Sequence, residues 1–174
     1  MTEDVYPGHG PRQRASSPAP NICYGDNMEI YEVKENKKKY LDLLLLADEQ
    51  EDMVNRYLER GRMFLLDDNG IKAECVVTDE GNGILEIKNI AVVPEFQNCG
   101  YGKHLIRFVE SRFKEKYDRI QVGTGESPLT VPFYEHCGFH RSHVIKNFLT
   151  EHYDHPIFEA GEQLIDMVYL QKKI

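Results

Sequence analysis

"IAVVPEFQNCGYGKHLI", residues 90–106, begins as an unbroken apolar run, passes a proline and two glycines one residue apart, and ends in a helical pattern. Residues 90–93 read as a buried strand. Leu105, Ile106, Val109 and Phe113 recur at helical spacing, so a helix is predicted over about 102–117. The junction carries Gly100, Gly102 and Lys103. The first N–H groups of a helix have no partner within it, and the aligned peptide dipoles favour negative charge there. Glycine lets an anion approach the backbone closely, and Lys103 adds a full positive charge. The Walker phosphate pattern fails, because His104 follows Lys103 and no glycine stands five residues before Gly102. The dinucleotide fingerprint fails at its third glycine, where Leu105 stands. What is left is a Gln97-x-x-Gly100-x-Gly102 turn that either receives an anion or only turns the chain.

Working outward, "RMFLLDDNGIKAECVV" reads as a hairpin turned at Asn69-Gly70, and "DEGNG" as a second turn into the strand "ILEIKNIAVV". "MEIYEV", from Met28, is a first strand. Asn36 is placed to cap a helix reaching about Ala47, and Asp48 to cap a second that stops at Gly61. After the glycine turn come the strand "RIQV", a helix near 127–136 stopped by Gly138, and two strands near 141–148 and 164–170 joined by a long loop. Pro132 removes a backbone donor, so the 127–136 helix should start late or kink. The order β-α-α-β-β-β-α-β-α-β-β predicts one mixed α/β domain around a single sheet.

With 174 residues the chain is long enough for one domain and its core. A net charge of −8 argues against a dedicated nucleic-acid or anionic-membrane binder and suits cationic substrates such as amines. Cys23, Cys75, Cys99 and Cys137 form no C-x-x-C pair and read as thiols in a reducing compartment. The longest leucine block, "LDLLLLA", is far too short to span a membrane, and no signal-peptide core is present, so the protein reads as soluble and cytoplasmic. Residues 1–27 hold half of the prolines and no apolar periodicity, which predicts a mobile, tag-like leader before a functional domain over 28–174.

A second stretch, "PFYEHCGF" at 132–139, gives the glycine turn its meaning. An apolar strand ending in V-x-P-x, then [Q/R]-x-x-G-x-[G/A], then a short helix ending in FYE-x-x-GF resembles the GNAT superfamily of N-acetyltransferases. The likeness covers about residues 28–174 and is strongest in 84–139. It implies a mostly antiparallel mixed sheet of about seven strands with about four helices. It also implies acetyl-CoA as co-substrate and a primary amine, small or peptide-borne, as acceptor. The pyrophosphate would lie on the turn from Gln97, Asn98 and Cys99 through Gly100, Tyr101, Gly102 and Lys103. The pantetheine arm would pair with the backbone of Ile90, Ala91, Val92 and Val93, near Phe133. Many relatives carry an asparagine at the start of the last helix; here Ser127 is nearest, and serine also suits a cap.

An amine with a lysine-like pKa needs about 4 kcal/mol to become neutral near pH 7.4, so a base or a desolvating pocket helps. By the resemblance, Tyr134 protonates the leaving thiolate and the Val92 amide holds the oxyanion; on spacing alone Tyr134 is a half-buried aromatic. Glu86, inside an apolar strand, is either the base or one half of a salt bridge with a cation such as Lys88. The ribosomal-protein alanine acetyltransferases carry a glutamate on the strand before the last helix; Gln121 stands on that strand here, which weakens the case for the same peptide substrate. The histidines of "HCGFHRSH" and "HYDH" match no zinc spacing, and no metal is expected. Loop 147–163 is long enough to be functional, and Phe148, Tyr153 and His155 are candidates for an acceptor pocket. The resemblance implies direct attack of the amine in a ternary complex, with a non-catalytic acetyl-CoA sensor as the alternative. It is compatible with a homodimer.

Overall fold

The computed structural model describes residues 27–174. The expected leader, Asn27 apart, lies outside the described residues. Seven strands form the main sheet: β1 (Glu29–Val33), β2 (Arg62–Asp67), β3 (Ile71–Gly81), β4 (Ile84–Val92), β5 (Arg119–Gly125), β6 (His140–Ile145) and β9 (Met167–Lys173). Their order is β1-β2-β3-β4-β5-β9-β6, and only β4 and β5 run parallel. The two remaining strands, β7 (Ile157–Glu159) and β8 (Glu162–Leu164), make a separate ladder.

Alternation along β2 and β3 creates the two cores. Phe64, Leu66, Cys75 and Val77 face helix α3 (Tyr101–Phe113), which lays Leu105, Ile106, Val109 and Phe113 on them. Met63, Leu65 and Val76 face α1 (Leu41–Leu44) and α2 (Glu51–Asn55), meeting Leu44, Val54, Tyr57 and Leu58. The hairpins turn where expected, with Asn69, Gly70, Gly81, Asn82 and Gly83 all at positive φ.

Among the described residues there are five α-helices, against about four expected. The fifth, α5 (Phe148–His152), lies inside loop 147–163, and the β7–β8 ladder fills the end of that loop and runs one residue past it. That ladder holds Leu164, so β9 begins three residues later than the predicted strand. The first predicted helix is largely replaced. Asn36 sits at φ 54 with no side-chain cap, a 3-10 turn runs Lys37–Tyr40, and α1 lasts one turn. The Leu44 carbonyl takes the Asn89 side chain at 2.9 Å, which ties the end of α1 to β4. Asp48 does not cap α2; Gln50 precedes that helix, and the Asp48 carboxylate is committed elsewhere. The last cap fares better: Ser127 Oγ accepts from the Leu129 and Thr130 amides, and α4 (Thr130–His136) starts late, placing Pro132 in its first turn.

Candidate active site

The site begins where two parallel strands part. β4 pairs with β5 from Ile84–Arg119 to Ile87–Val122, and the ladder stops there. On its other edge β4 stays with β3 as far as Val92 opposite Ala73. The Val93 amide donates to the Lys72 carbonyl at 2.8 Å. Hydrogen-bonding direction alternates along a strand, so Ala91 and Asn89 also aim at β3, while the backbone groups of Ile90 and Val92 face the gap. The gap thus offers two amides, at Ile90 and Val92, rather than the four residues named from sequence. Gln97 Nε2 closes one side by donating to the Val92 carbonyl at 3.3 Å.

The glycine turn caps α3 beside this gap. Gly100 is the N-cap, with φ 89 and ψ 1. The first intrahelical bond there runs from the His104 amide to the Gly100 carbonyl, so the Gly102 and Lys103 amides precede the ladder. Lys103 is exposed, as are Gln97 and Asn98, and Cys99 is half-buried. Tyr101 turns its side chain into the core, where its hydroxyl donates to Asp68 at 2.8 Å. A Cβ on Gly102 would stand 3.2 Å from Phe133 Cζ and 3.6 Å from Val92 Cγ2. Gly102 therefore serves close packing of α3 on Phe133, whereas the sequence reading gave both glycines to phosphate approach.

A cleft of about 530 Å³ opens from the gap. Of the sequence-predicted residues it brings together Glu86, Ile90, Ala91, Val92, Gln97 and Tyr134. The turn from Asn98 to Lys103, with Val93 and Phe133, lies outside it, and so does the buried capping residue Ser127. Tyr134 is 5 % exposed and packs edge-on against Phe133 and Phe139. Its hydroxyl has no hydrogen-bond partner among the described residues, and burial pushes its pKa well up, which keeps it protonated. Glu86 carries both of its sequence readings. It lines the cleft, and it is bound by Lys88 Nζ at 2.6 Å and Gln121 Nε2 at 2.5 Å. Gln121 in turn accepts from Gln171 at 3.1 Å, so it holds Glu86 in place.

Sequence reasoning named Tyr153 on the far wall and missed the residues it meets there. Asn89 Nδ2 donates to the Tyr57 hydroxyl at 2.8 Å, and that hydroxyl donates to Asp48 at 3.3 Å. Tyr153, from the long loop, donates to the other oxygen of Asp48 at 3.0 Å. Asn89 was the available signal, since a polar side chain in "IKNIAV" has to be satisfied somewhere. Phe148 and Tyr153 do line the cleft, whereas His155 does not. Of the other histidines, His143 stacks on Tyr169 and His152 on Phe148. Among the described residues no group of three or more His, Cys, Asp or Glu is arranged to hold a metal ion, and no helix is long and apolar enough to cross a membrane.

Comparison with known proteins agrees with this geometry. The acetyltransferase (GNAT) domain family matches residues 59–141. The uncharacterized N-acetyltransferase YvbK of Bacillus subtilis strain 168 is 37 % identical over 140 residues, which is 79 % of this chain and 90 % of YvbK. A GNAT family acetyltransferase from Elizabethkingia anophelis, solved with acetyl-CoA bound, superposes with a TM-score of 0.81 at 34 % identity, covering 86 % of this chain and all of that one (100 %). A Bacillus subtilis acetyltransferase in complex with CoA gives 0.77 at 35 % identity over 85 % and 99 % of the two chains. The parted strands, the glycine-capped helix and these relatives together place the chain in the GNAT acetyltransferase family.

Proposed function

We propose that the protein moves the acetyl group of acetyl-CoA to a primary amine, by direct attack of the amine in a ternary complex. The observation that carries this reading is the gap between β4 and β5, where the Ile90 and Val92 backbone faces a cleft that also holds the Tyr134 hydroxyl. Acetyl-CoA supplies the thioester carbonyl, and the rest is done by this chain. The Gly102 and Lys103 amides, with the Lys103 ammonium, suit the pyrophosphate at the α3 N-terminus. The Ile90 and Val92 backbone suits the pantetheine amides, and the Val92 N–H is aimed where a developing oxyanion can be held. As the C–N bond forms and the C–S bond breaks, the amine gives up a proton and the departing sulfur gains one. Tyr134 is the donor to sulfur, since burial keeps its hydroxyl neutral. Glu86 is the acceptor of the amine proton, fixed in the cleft by Lys88 and Gln121.

The test is thiol release from acetyl-CoA across a panel of small amines and peptides. Acceptor-dependent release is expected, and Tyr134→Phe should lower kcat by about 10²–10⁴-fold, the usual contribution of a positioned acid, while CoA still binds. Tight CoA binding without acceptor-dependent release would instead make the protein a sensor, and unchanged kcat in Tyr134→Phe would remove that tyrosine from the mechanism.

A further inference from the structure

Asp48 is a buried carboxylate in the wall of the cleft, 9 % exposed, and among the described residues no lysine, arginine or histidine forms an ion pair with it. Its surroundings are built to keep it in one orientation. Tyr153 donates to one oxygen and Tyr57 to the other. Behind Tyr57, Asn89 and the Leu44 carbonyl continue the network to β4. The cations nearby are engaged or turned to solvent. Lys88 is held by Glu86 and acts on Asp48 only from a distance, Arg60 is paired with Glu80 at 2.8 Å, and Arg56 is exposed at the cleft without a bond to Asp48.

A carboxylate has about four lone-pair positions, and two neutral donors leave room to meet a group from the cleft. Burial without a cation is costly, and it pushes the Asp48 carboxyl up. An ammonium docking from the cleft would offset that cost. The two tyrosine hydroxyls hold the Asp48 carboxylate in one orientation as an electrostatic anchor, and the group read as the base, Glu86, is a separate side chain on β4. Building on the acetyl-transfer reading, we propose that Asp48, framed by Tyr57 and Tyr153, seats a second, non-reacting ammonium of the acceptor. The acceptor class is then a molecule with two amines, one anchored at Asp48 and the other presented to the β4–β5 gap.

The test is equilibrium binding, by calorimetry on CoA-saturated protein, of 1,5-diaminopentane against n-pentylamine. The wild type is expected to prefer the diamine by at least about tenfold, the scale of one buried charge-assisted contact. In Asp48→Asn that preference should fall to within about twofold while CoA still binds. Tyr57→Phe with Tyr153→Phe keeps the carboxylate and removes both donors, so the preference should survive there even if Asp48→Asn fails to fold. No preference in the wild type, an undiminished preference in Asp48→Asn, or its complete loss in the double tyrosine variant overturns the proposal. Because binding is read without turnover, the two readings separate. Selective diamine binding with no thiol release defeats acetyl transfer alone. Equal binding of both amines with normal turnover defeats the Asp48 site alone.

Discussion

Glu74 is fully buried on β3, between Leu65 on one neighbouring strand and Ala91 on the other, and neither of its carboxyl oxygens has a hydrogen bond. The Ala91 amide belongs to the β3–β4 ladder and, though close, makes no hydrogen bond to the carboxyl. Burial therefore raises the Glu74 pKa well above the ordinary carboxyl range, and a neutral Glu74 carries a donor. Asn89 Oδ1, on the same face of the sheet, is the other buried side-chain oxygen without a donor among the described residues. The consequence for stability has a definite sign. In the unfolded chain the group titrates near about 4.3, so as pH rises past that value the unfolded state loses its proton first. Stability is full below that point and falls as pH climbs towards the folded-state pKa, by about 1.4 kcal/mol for each unit separating the two. Glu74→Gln keeps the shape and removes the titration. In urea unfolding at pH 5 and pH 8 the wild type should lose stability between the two relative to Glu74→Gln. A difference that does not change with pH would mean that Glu74 is ionised in the fold.

At the scale of elements, the junction from β4 to α3 does most to position the donor site, and a glycine starts the helix. Gly100 holds φ 89, which costs an ordinary residue about 1–2 kcal/mol. Gly100→Ala should therefore lower the melting temperature by about 2–8 °C for a chain of this size and weaken CoA binding as the α3 N-terminus tilts. Gly81 is the matched control. It has φ 79 with open space around it, in a turn that meets the chain just past the C-terminal end of α3 and lies away from the helix N-terminus, so Gly81→Ala should cost similar stability and leave CoA affinity as it was. Equal CoA affinity in both variants would detach the glycine turn from the cofactor. This junction was legible because its signals are local: an apolar run, positive-φ residues and helical periodicity follow one another without a gap. The Asn69-Gly70 hairpin and the late start of α4 at Pro132 were legible for the same reason. The first helices were not. "NKKKYLDLLLLADEQ" has helical periodicity, yet Asn89, forty-five residues away, ties down the Leu44 carbonyl at the end of α1, and Tyr57 and Tyr153 claim the carboxylate that would have capped α2. Contacts between distant parts of the chain override propensity, and one sequence does not display them.

At the scale of the molecule, the two halves that the proposed reaction assigns to donor and acceptor come from different parts of the chain. β4, β5, α3 and α4 form the donor half in one continuous stretch. The acceptor wall is closed by a clasp between two short segments more than a hundred residues apart. Tyr153 reaches Asp48 at 3.0 Å, the Asp154 amide reaches Gln50 at 3.2 Å, and His155 Nε2 lies 3.3 Å from Glu49. The bond to Asp154, then that to Glu49, raises the His155 pKa above its ordinary value, so the imidazolium is the form that tightens the clasp. This contribution is fully present below about 6.5, the unfolded-state value, and fades as pH rises through the higher folded-state value. Gln50→Ala with His155→Ala loosens the clasp without touching β4 or α3. The amine KM should then rise several-fold while CoA affinity, measured by calorimetry, stays at the wild-type value. In the wild type the amine KM should climb as pH passes the His155 pKa, and His155→Ala should remove that component of the profile. A matching loss of CoA affinity in the double variant would show instead that the two halves of the cleft stand or fall together.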